Sequence, residues 1–459
     1  MNPELIAALR DAVTRSMPQA VAELTDLVAI PSIAWPAFDQ TQVLRSAEAV
    51  SGLAAATGVF EQVGVHTAAI PGTSEHGQPA VLATRPAAPG KRRVLLYAHH
   101  DVQPVGDESQ WLSPPFEATE RDGRLYGRGA GDDKAGVITH LAALRAVRQV
   151  LGDDFGAGVT LFVEGEEEYG SRSFGQFLSD RRDAMDADLI IVADSGNWDS
   201  RTPGITVSLR GNARFTLGVR TLEHGLHSGM FGGAVPDALL ATIKLLATLW
   251  DDDGAVAVAG LASHDGPTPE YSEDRLREET GMLAGTQPIG RGELLDRIWN
   301  QPSITVTGID APSVAAASNT LNAEVSVVVS ARVAPGQDSR QAYEAIRAHL
   351  EANAPFGAEL TFSDVDCGQG FLATEGWATE VVREAFAESY GVDPVDLGEG
   401  GSIPFVAELA AEFPEAAVVV TGVLDPVASP HSTNESLHLG TFASAILGEA
   451  LILARLSQD

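Results

Sequence analysis

The chain has 459 residues, with 63 acidic and 30 basic side chains and a formal net charge of −33, which argues against nucleic acid and anionic membrane as partners. Hydrophobic content of 44% and charged content of 20% suit a soluble globular enzyme, and the length is comfortable for two domains rather than one core. Cys367 is the only cysteine, which excludes intramolecular disulfides and cysteine-rich zinc sites and makes a reducing cytoplasm the expected setting.

The opening MNPELIAALRDAVTRSMPQ is amphipathic and lacks the basic start and apolar core of a secretory signal. Residues 18–29 carry apolar side chains at helical spacing, and 43–64 repeat that pattern. Short apolar runs follow, VLLYA (94–98), VTLFV (159–163) and LIIVA (189–193), and a helix is predicted over 134–150 with Leu141, Leu144 and Val147 on one face. Such alternation means βαβ units and a buried parallel or mixed sheet. The pattern changes near residue 204. Runs 205–220 and 323–334 are longer and partly alternating, as in antiparallel strands with one wet face. Helices are predicted near 236–251 and 339–353, a strand at 358–366, and a polar helical or loop insertion over 252–302. After 369 the α/β pattern returns, with a helix at 377–390, a strand at 417–423 and a closing helix near 439–457. The longest apolar stretches are broken by Asp, Glu or Gly, so no bilayer crossing is expected.

The architecture predicted is α/β: a mixed, mostly parallel sheet flanked by helices, built from residues 1–204 and 369–459, with an α+β domain over 205–368 inserted into it.

Five acidic or histidine clusters end strand-like runs or helix starts: YAHHD (97–101), GRGAGDDKAG (127–136), EGEEEYG (164–170), IIVADSG (190–196) and SPHSTNE (429–435). Potential ligands at strand ends are what an open α/β sheet needs to build a site at its carboxyl edge. The spacing of His99 and Asp101 allows one to ligate and the other to stand behind it, since a carboxylate behind an imidazole fixes its tautomer. Asp132 and Asp133 open a helix, where Asp is a favoured cap, so taken alone these two read as caps before ligands. Glu166, Glu167 and Glu168 repel one another, so metal or proton must neutralise at least one; alternation along a strand would separate a ligand from a proton carrier. Asp194 and His431 complete the set. Two histidines and three carboxylates suit Zn²⁺, Mn²⁺ or Co²⁺ better than Ca²⁺ or copper. Five ligands are too many for one open catalytic zinc and suit two ions sharing a carboxylate and a water. A dinucleotide loop is disfavoured, because GRGAG lacks the G-x-G-x-x-G spacing and a preceding buried strand.

HHDVQP, GRGAGDDKAG, EGEEEYGS, HSGMFGG, GEGGSIPF and HSTNE, in this order along nearly the whole chain, resemble the motifs of the di-metal peptidase family that includes carnosinases, cytosolic non-specific dipeptidase, aminoacylase, carboxypeptidase G and succinyl-diaminopimelate desuccinylase. The resemblance is closest to the dipeptidase and carnosinase branch. It implies two zinc ions per subunit, with Mn²⁺ or Co²⁺ as alternatives. Asp132 is then the bridging ligand, His99 and Asp194 complete one metal, and Glu168 and His431 the other. Glu167 aligns with the catalytic base, Asp101 with the acid that orients His99, and Asp133 follows an Asp–Asp bond that is cis in the family. The resemblance further implies that the inserted domain is a ferredoxin-like lid and dimerisation domain. There His227 matches a histidine that reaches the partner subunit's site in a homodimer, and Arg332 an arginine that holds the substrate carboxylate. That arginine is also the local basic group that an anionic substrate needs in so acidic a chain. Asn319, Gly401 and Ser402 are further substrate contacts. Two positions depart from the family pattern, Ala98 in place of Gly and Gly131 in place of Ser, Thr or Ala.

The function expected is cytoplasmic hydrolysis of the amide bond of dipeptides or short peptides, with a water between the two metals deprotonated by Glu167. The alternatives are an N-acyl-amino-acid amidohydrolase and, from another class, a catalytically silent binding protein on the same fold.

Overall fold

A computed structural model describes residues 1–458 except 267 and 402, and of Pro404 only the backbone. The chain divides into two compact units, one of Met1–Val207, Ala373–Leu397 and Glu408–Asp459, the other of Ser208–Leu372 and Gly398–Ala407.

The first unit is built on a sheet in the order Gln62–His66, Ala80–Arg85, Gly158–Glu164, Arg93–His99, Leu189–Val192, Ala417–Val420 and Gly204–Leu209. Arg93–His99 pairs in parallel with both neighbours, and Ala417–Val420 runs parallel to Leu189–Val192. The carboxyl ends of these strands therefore share one edge. Side chains alternate across the sheet. Val94, Leu96 and Ala98 face a core shared with the helices Pro3–Val28, Lys134–Leu151, Trp377–Tyr390 and Leu439–Gln458. Tyr97 and Phe162 face the other way, toward Phe174 and Phe177 of the helix Phe174–Met185. Burial on both faces explains why these strands read as continuous apolar runs.

Three expectations need correction. The helical pattern over 43–64 is a helix, Thr41–Ala56, followed by a strand, Gln62–His66. Gly58, at φ 62°, supplies the left-handed residue just past the helix end that lets the chain turn back. The run 205–220 is two strands: Gly204–Leu209 lies in the first sheet and Gly211–Arg220 in the sheet of the second unit. Alternation persists through Arg210, so it carries no mark of the change of sheet. Leu439–Gln458, with a mean hydropathy of 1.5, is long and apolar enough to span a bilayer, contrary to the expectation that no stretch is. It is 72% buried over its apolar window, among three other helices, and a helix apolar all round is the signature of such a position.

The second unit carries an antiparallel sheet in the order Ser303–Asp310, Glu324–Val333, Gly211–Arg220, Glu359–Gly368. Burial alternates strictly along Glu324–Val333. Its buried residues Val325, Val327, Val329 and Ala331 join Ala241 and Leu245 of Ala238–Leu246, and Ala342 and Ile346 of Ser339–Ala352, in one core. The stretch 252–302 carries two short helices, Glu273–Thr280 and Leu294–Trp299.

A buried ion pair ties the first unit's helices to its sheet. The Nδ1 of His140 lies 2.9 and 2.8 Å from the two carboxylate oxygens of Glu449, and its Nε2 lies 2.9 Å from the Tyr97 carbonyl. Burial disfavours the imidazolium, but the Glu449 carboxylate outweighs it and raises the histidine above its ordinary value of 6.5. The pair's stabilisation is therefore complete below pH 6.5 and is lost as pH rises through the raised value. Glu449→Gln should cost about 3 kcal/mol of unfolding free energy near pH ~6 and less near pH ~9, measured by denaturant titration. Equal losses at the two pH values would refute the charged pair.

Candidate metal centre

The five predicted ligands converge at the carboxyl edge of the first unit's sheet. His99 ends the strand Arg93–His99, Asp194 lies just past Leu189–Val192, and Asp132 precedes the helix Lys134–Leu151. Glu168 sits in the turn after Gly158–Glu164, and His431 in the loop between Ala417–Val420 and Ser436–His438. Two groups form, His99 with Asp132 and Asp194, and Asp132 with Glu168 and His431, and within each group the ligand atoms lie within 4.8 Å of one another. Asp132 belongs to both. Its Oδ1 is 3.1 Å from His99 Nε2 and its Oδ2 is 3.0 Å from His431 Nε2. Asp194 Oδ1 is 3.8 Å from His99 Nε2, and Glu168 Oε2 is 3.1 Å from His431 Nε2. Glu167 Oε2 approaches His99 Nε2 to 3.9 Å.

A second layer fixes these side chains. His99 Nδ1 lies 3.1 Å from the Asp101 backbone carbonyl and 3.4 Å from its Oδ1, and the two carboxylate oxygens of Asp101 accept the backbone N–H groups of Glu167 and Glu168 at 3.1 Å each. Gln103 donates to both oxygens of Glu168, from its backbone at 3.1 Å and its side chain at 2.6 Å. Asp133, after a cis peptide bond, accepts the backbone N–H of His99 at 3.1 Å. Glu166 faces elsewhere: it accepts from Ser173 and from the backbone of Gln78, closing its own turn. Glu435, which sequence reasoning missed, accepts the N–H groups of Gly131 and Asp132 at 2.9 and 3.1 Å. Its partner Arg128 was missed as well, because the two lie 307 positions apart in the chain.

Burial drives the acidic members toward their neutral forms. It pushes the carboxyls of Glu167 and Asp133 well above the usual range and raises Asp194, with repulsion among these neighbours adding to it. Glu168 is pushed up to about 7 by burial and by Asp132. For Asp132 burial acts in the same sense, but the hydrogen bonds with His431 and His99 prevail and hold its carboxyl below the usual range. The same contacts with Asp132 and Glu168 push His431 up to about 10. A cluster in which burial and like charge oppose ionisation is one that divalent cations would neutralise. The donors are imidazole nitrogens and carboxylate oxygens, so the residues fit Zn²⁺, Mn²⁺ or Co²⁺.

Of the remaining predicted residues, His227, Asn319, Arg332 and Gly401 belong to the second unit. His227 is exposed, on the short strand Leu226–His227 opposite Thr320, and Asn319 is its neighbour through a 2.9 Å bond from the Ser228 N–H to the Asn319 carbonyl. Arg332 lies on Glu324–Val333 opposite Ser303 and Asn212, half-buried, with its guanidinium held below its ordinary value by that burial. Gly401 is exposed, and Ser402 lies outside the described residues. Sequence reasoning passed over Arg210, which is buried near Arg332. It donates to the carbonyls of Gly400 and Gln301 at 3.0 and 3.2 Å, and burial together with Arg332 pushes it down to about 10.

A model of peptidase family M20/M25/M40 matches residues 95–456. The cysteinylglycine-S-conjugate dipeptidase of Corynebacterium striatum is 34% identical over 368 residues, covering 78% of this chain and 80% of the relative. The Beta-Ala-His dipeptidase of Rattus norvegicus is 28% identical over 381 residues, covering 78% of this chain and 76% of the relative. Among solved structures, the di-peptidase Dug1p from Saccharomyces cerevisiae matches with a TM-score of 0.80 at 23% identity over 99% of both chains, which shows a shared fold.

If Asp101 orients His99, then Asp101→Asn should weaken metal uptake roughly 10–100-fold, read by titrating metal-free protein with Co²⁺. Unchanged affinity in the folded variant would remove Asp101 from that role.

Proposed function

The chain belongs to peptidase family M20/M25/M40, and from that membership we propose that it is a metal-dependent dipeptidase acting on short peptides with a free carboxylate. The observation that carries this reading is the sharing of Asp132 between two ligand groups, with the Glu167 carboxylate beside them and outside both. Two divalent ions, held by His99, Asp132 and Asp194 and by Asp132, Glu168 and His431, would polarise the scissile carbonyl and bring the pKa of a water toward neutrality.

The chain's own residues do the rest. Glu167 takes the proton from the attacking water at a carboxylate oxygen and delivers it to the leaving amine nitrogen. Asp101 holds the His99 ring at Nδ1 through its backbone carbonyl, with its carboxylate close behind, which leaves Nε2 as the nitrogen that would ligate. In the second unit, read as the lid and dimerisation domain, His227 donates a hydrogen bond to the developing oxyanion of the partner subunit's site. Arg332 holds the substrate carboxylate, a task for which a planar guanidinium is suited. Asn319, Gly401 and Ser402 line the peptide. The protein is then a homodimer, and the cytoplasm is its place.

A panel of dipeptides that includes Cys-Gly and β-Ala-His, run against N-acetyl and N-succinyl amino acids, tests the substrate class. Cleavage of dipeptides is expected; activity confined to the acylated compounds would transfer the chain to the amidohydrolase reading. Glu167→Gln should lower kcat roughly 10²–10⁴-fold while metal content stays unchanged, and undiminished turnover would remove Glu167 as the base.

A further inference from the structure

The two ligand groups are held by different means. His99 and Asp194 follow neighbouring parallel strands, in which Tyr97 pairs with Val192 and the Ala193 N–H donates to the Tyr97 carbonyl at 3.0 Å. Their spacing is set by the sheet. His431 has no such support. It stands in a loop at φ 57° with its side chain 58% exposed, yet its Nε2 must stay near both Asp132 and Glu168.

One buried ion pair joins that loop to the backbone of Asp132. Glu435 Oε1 accepts the N–H groups of Gly131 and Asp132, and Oε2 accepts from Arg128 Nη1 at 2.6 Å, with the side chains only 0% and 2% exposed. Arg128 Nη2 donates in turn to the carbonyl of Ser432, next to His431, at 3.2 Å. This carboxylate–guanidinium unit thus joins the shared ligand to the His431 loop, which Asn434 also anchors by accepting the Leu112 N–H and donating to the Gln110 carbonyl. A planar guanidinium can bridge a carboxylate and a carbonyl in this way, whereas an ammonium cannot hold the same fork.

We infer that Arg128 and Glu435 are positioning residues that set the distance between Asp132 and His431, and so govern uptake of the ion held by Asp132, Glu168 and His431 more strongly than uptake of the other, which shares only Asp132 with it. The inference rests on the proposed reading of both groups as metal ligands. A general stabilising ion pair would make a different prediction, because its loss would weaken both ions equally, together with the fold.

Metal-free wild type, Arg128→Lys and Glu435→Gln would be titrated with Co²⁺, followed by visible absorption and metal analysis, with thermal unfolding recorded in parallel. Arg128→Lys keeps a cation in the buried site and serves if Glu435→Gln does not fold. Wild type should take up two ions tightly. Each variant should take up the second ion roughly 10–100-fold more weakly and the first by a clearly smaller factor, with dipeptide hydrolysis recovering when Co²⁺ is raised by the larger factor. An unchanged second ion, equal weakening of both, or failure of both variants to fold would overturn the inference. Wild type that takes up no ion would instead overturn the metal reading on which it stands.

Discussion

The carboxylate of Asp132 has two oxygens that face different histidines, 3.1 Å from His99 and 3.0 Å from His431, and the surrounding structure serves to hold it there. Its own N–H is taken by Glu435 and that of Gly131 by the same oxygen, so the backbone is pinned before the side chain is placed. The next residues continue the task. Lys134 is buried and donates to the carbonyls of Leu27 and Ile30, where the first helix ends, at 2.8 and 2.7 Å. A cation suits the negative end of that helix, and burial pushes this lysine down to about 7. At Gly136 a Cβ would meet Asp133 Oδ1 at 2.2 Å and the Ala193 carbonyl at 2.8 Å. Asp133, Lys134 and Gly136 thus each meet a specific neighbour around the turn that presents Asp132.

The same constraint explains how so acidic a centre sits inside a folded protein. Asp132, Asp133, Asp194, Glu167, Glu168 and Glu435 are packed where few cations are at hand, chiefly His99, His431, Arg128 and Lys134. Charge buried without compensation is costly, and the raised proton affinities of Asp194, Glu167 and Glu168 express that cost. Divalent ions would relieve it, and a ligand that binds only the folded state stabilises that state. On this view the site is a point of weakness in the bare chain and of strength when loaded.

Much of this was legible in the sequence, for reasons that can be assigned. Strands buried on both faces must be apolar throughout, so 94–98, 159–163 and 189–193 stood out, and the polar residues that end them marked the sheet's edge. Local patterns could not show what depends on distant pairing. Arg128 and Glu435 look like ordinary charged residues until the fold brings them together. Gly204–Leu209 and Gly211–Arg220 share one alternating pattern although the chain changes sheets between them. The strand Ser303–Asp310 follows a polar stretch and buries only Ile304 fully, so periodicity gave it little signal.

The Glu166–Glu167–Glu168 triplet shows where sequence pattern stops carrying information. Alternation along a strand would have sent neighbours to opposite sides, but the strand ends at Glu164 and the triplet lies in the turn beyond it. There, orientation is set by individual hydrogen bonds. Ser173 and the Gln78 backbone draw Glu166 away, Gln103 holds Glu168 toward His431, and the Asp101 carboxylate takes the backbone N–H groups of Glu167 and Glu168. Three identical side chains in succession thus meet different surroundings. Asp101 couples two of the layers directly, since the carboxylate behind the His99 ring also fixes the turn that presents Glu167. A change at Asp101 would consequently disturb the histidine and the glutamate in concert, which makes the two inseparable in a way that their spacing along the chain does not suggest.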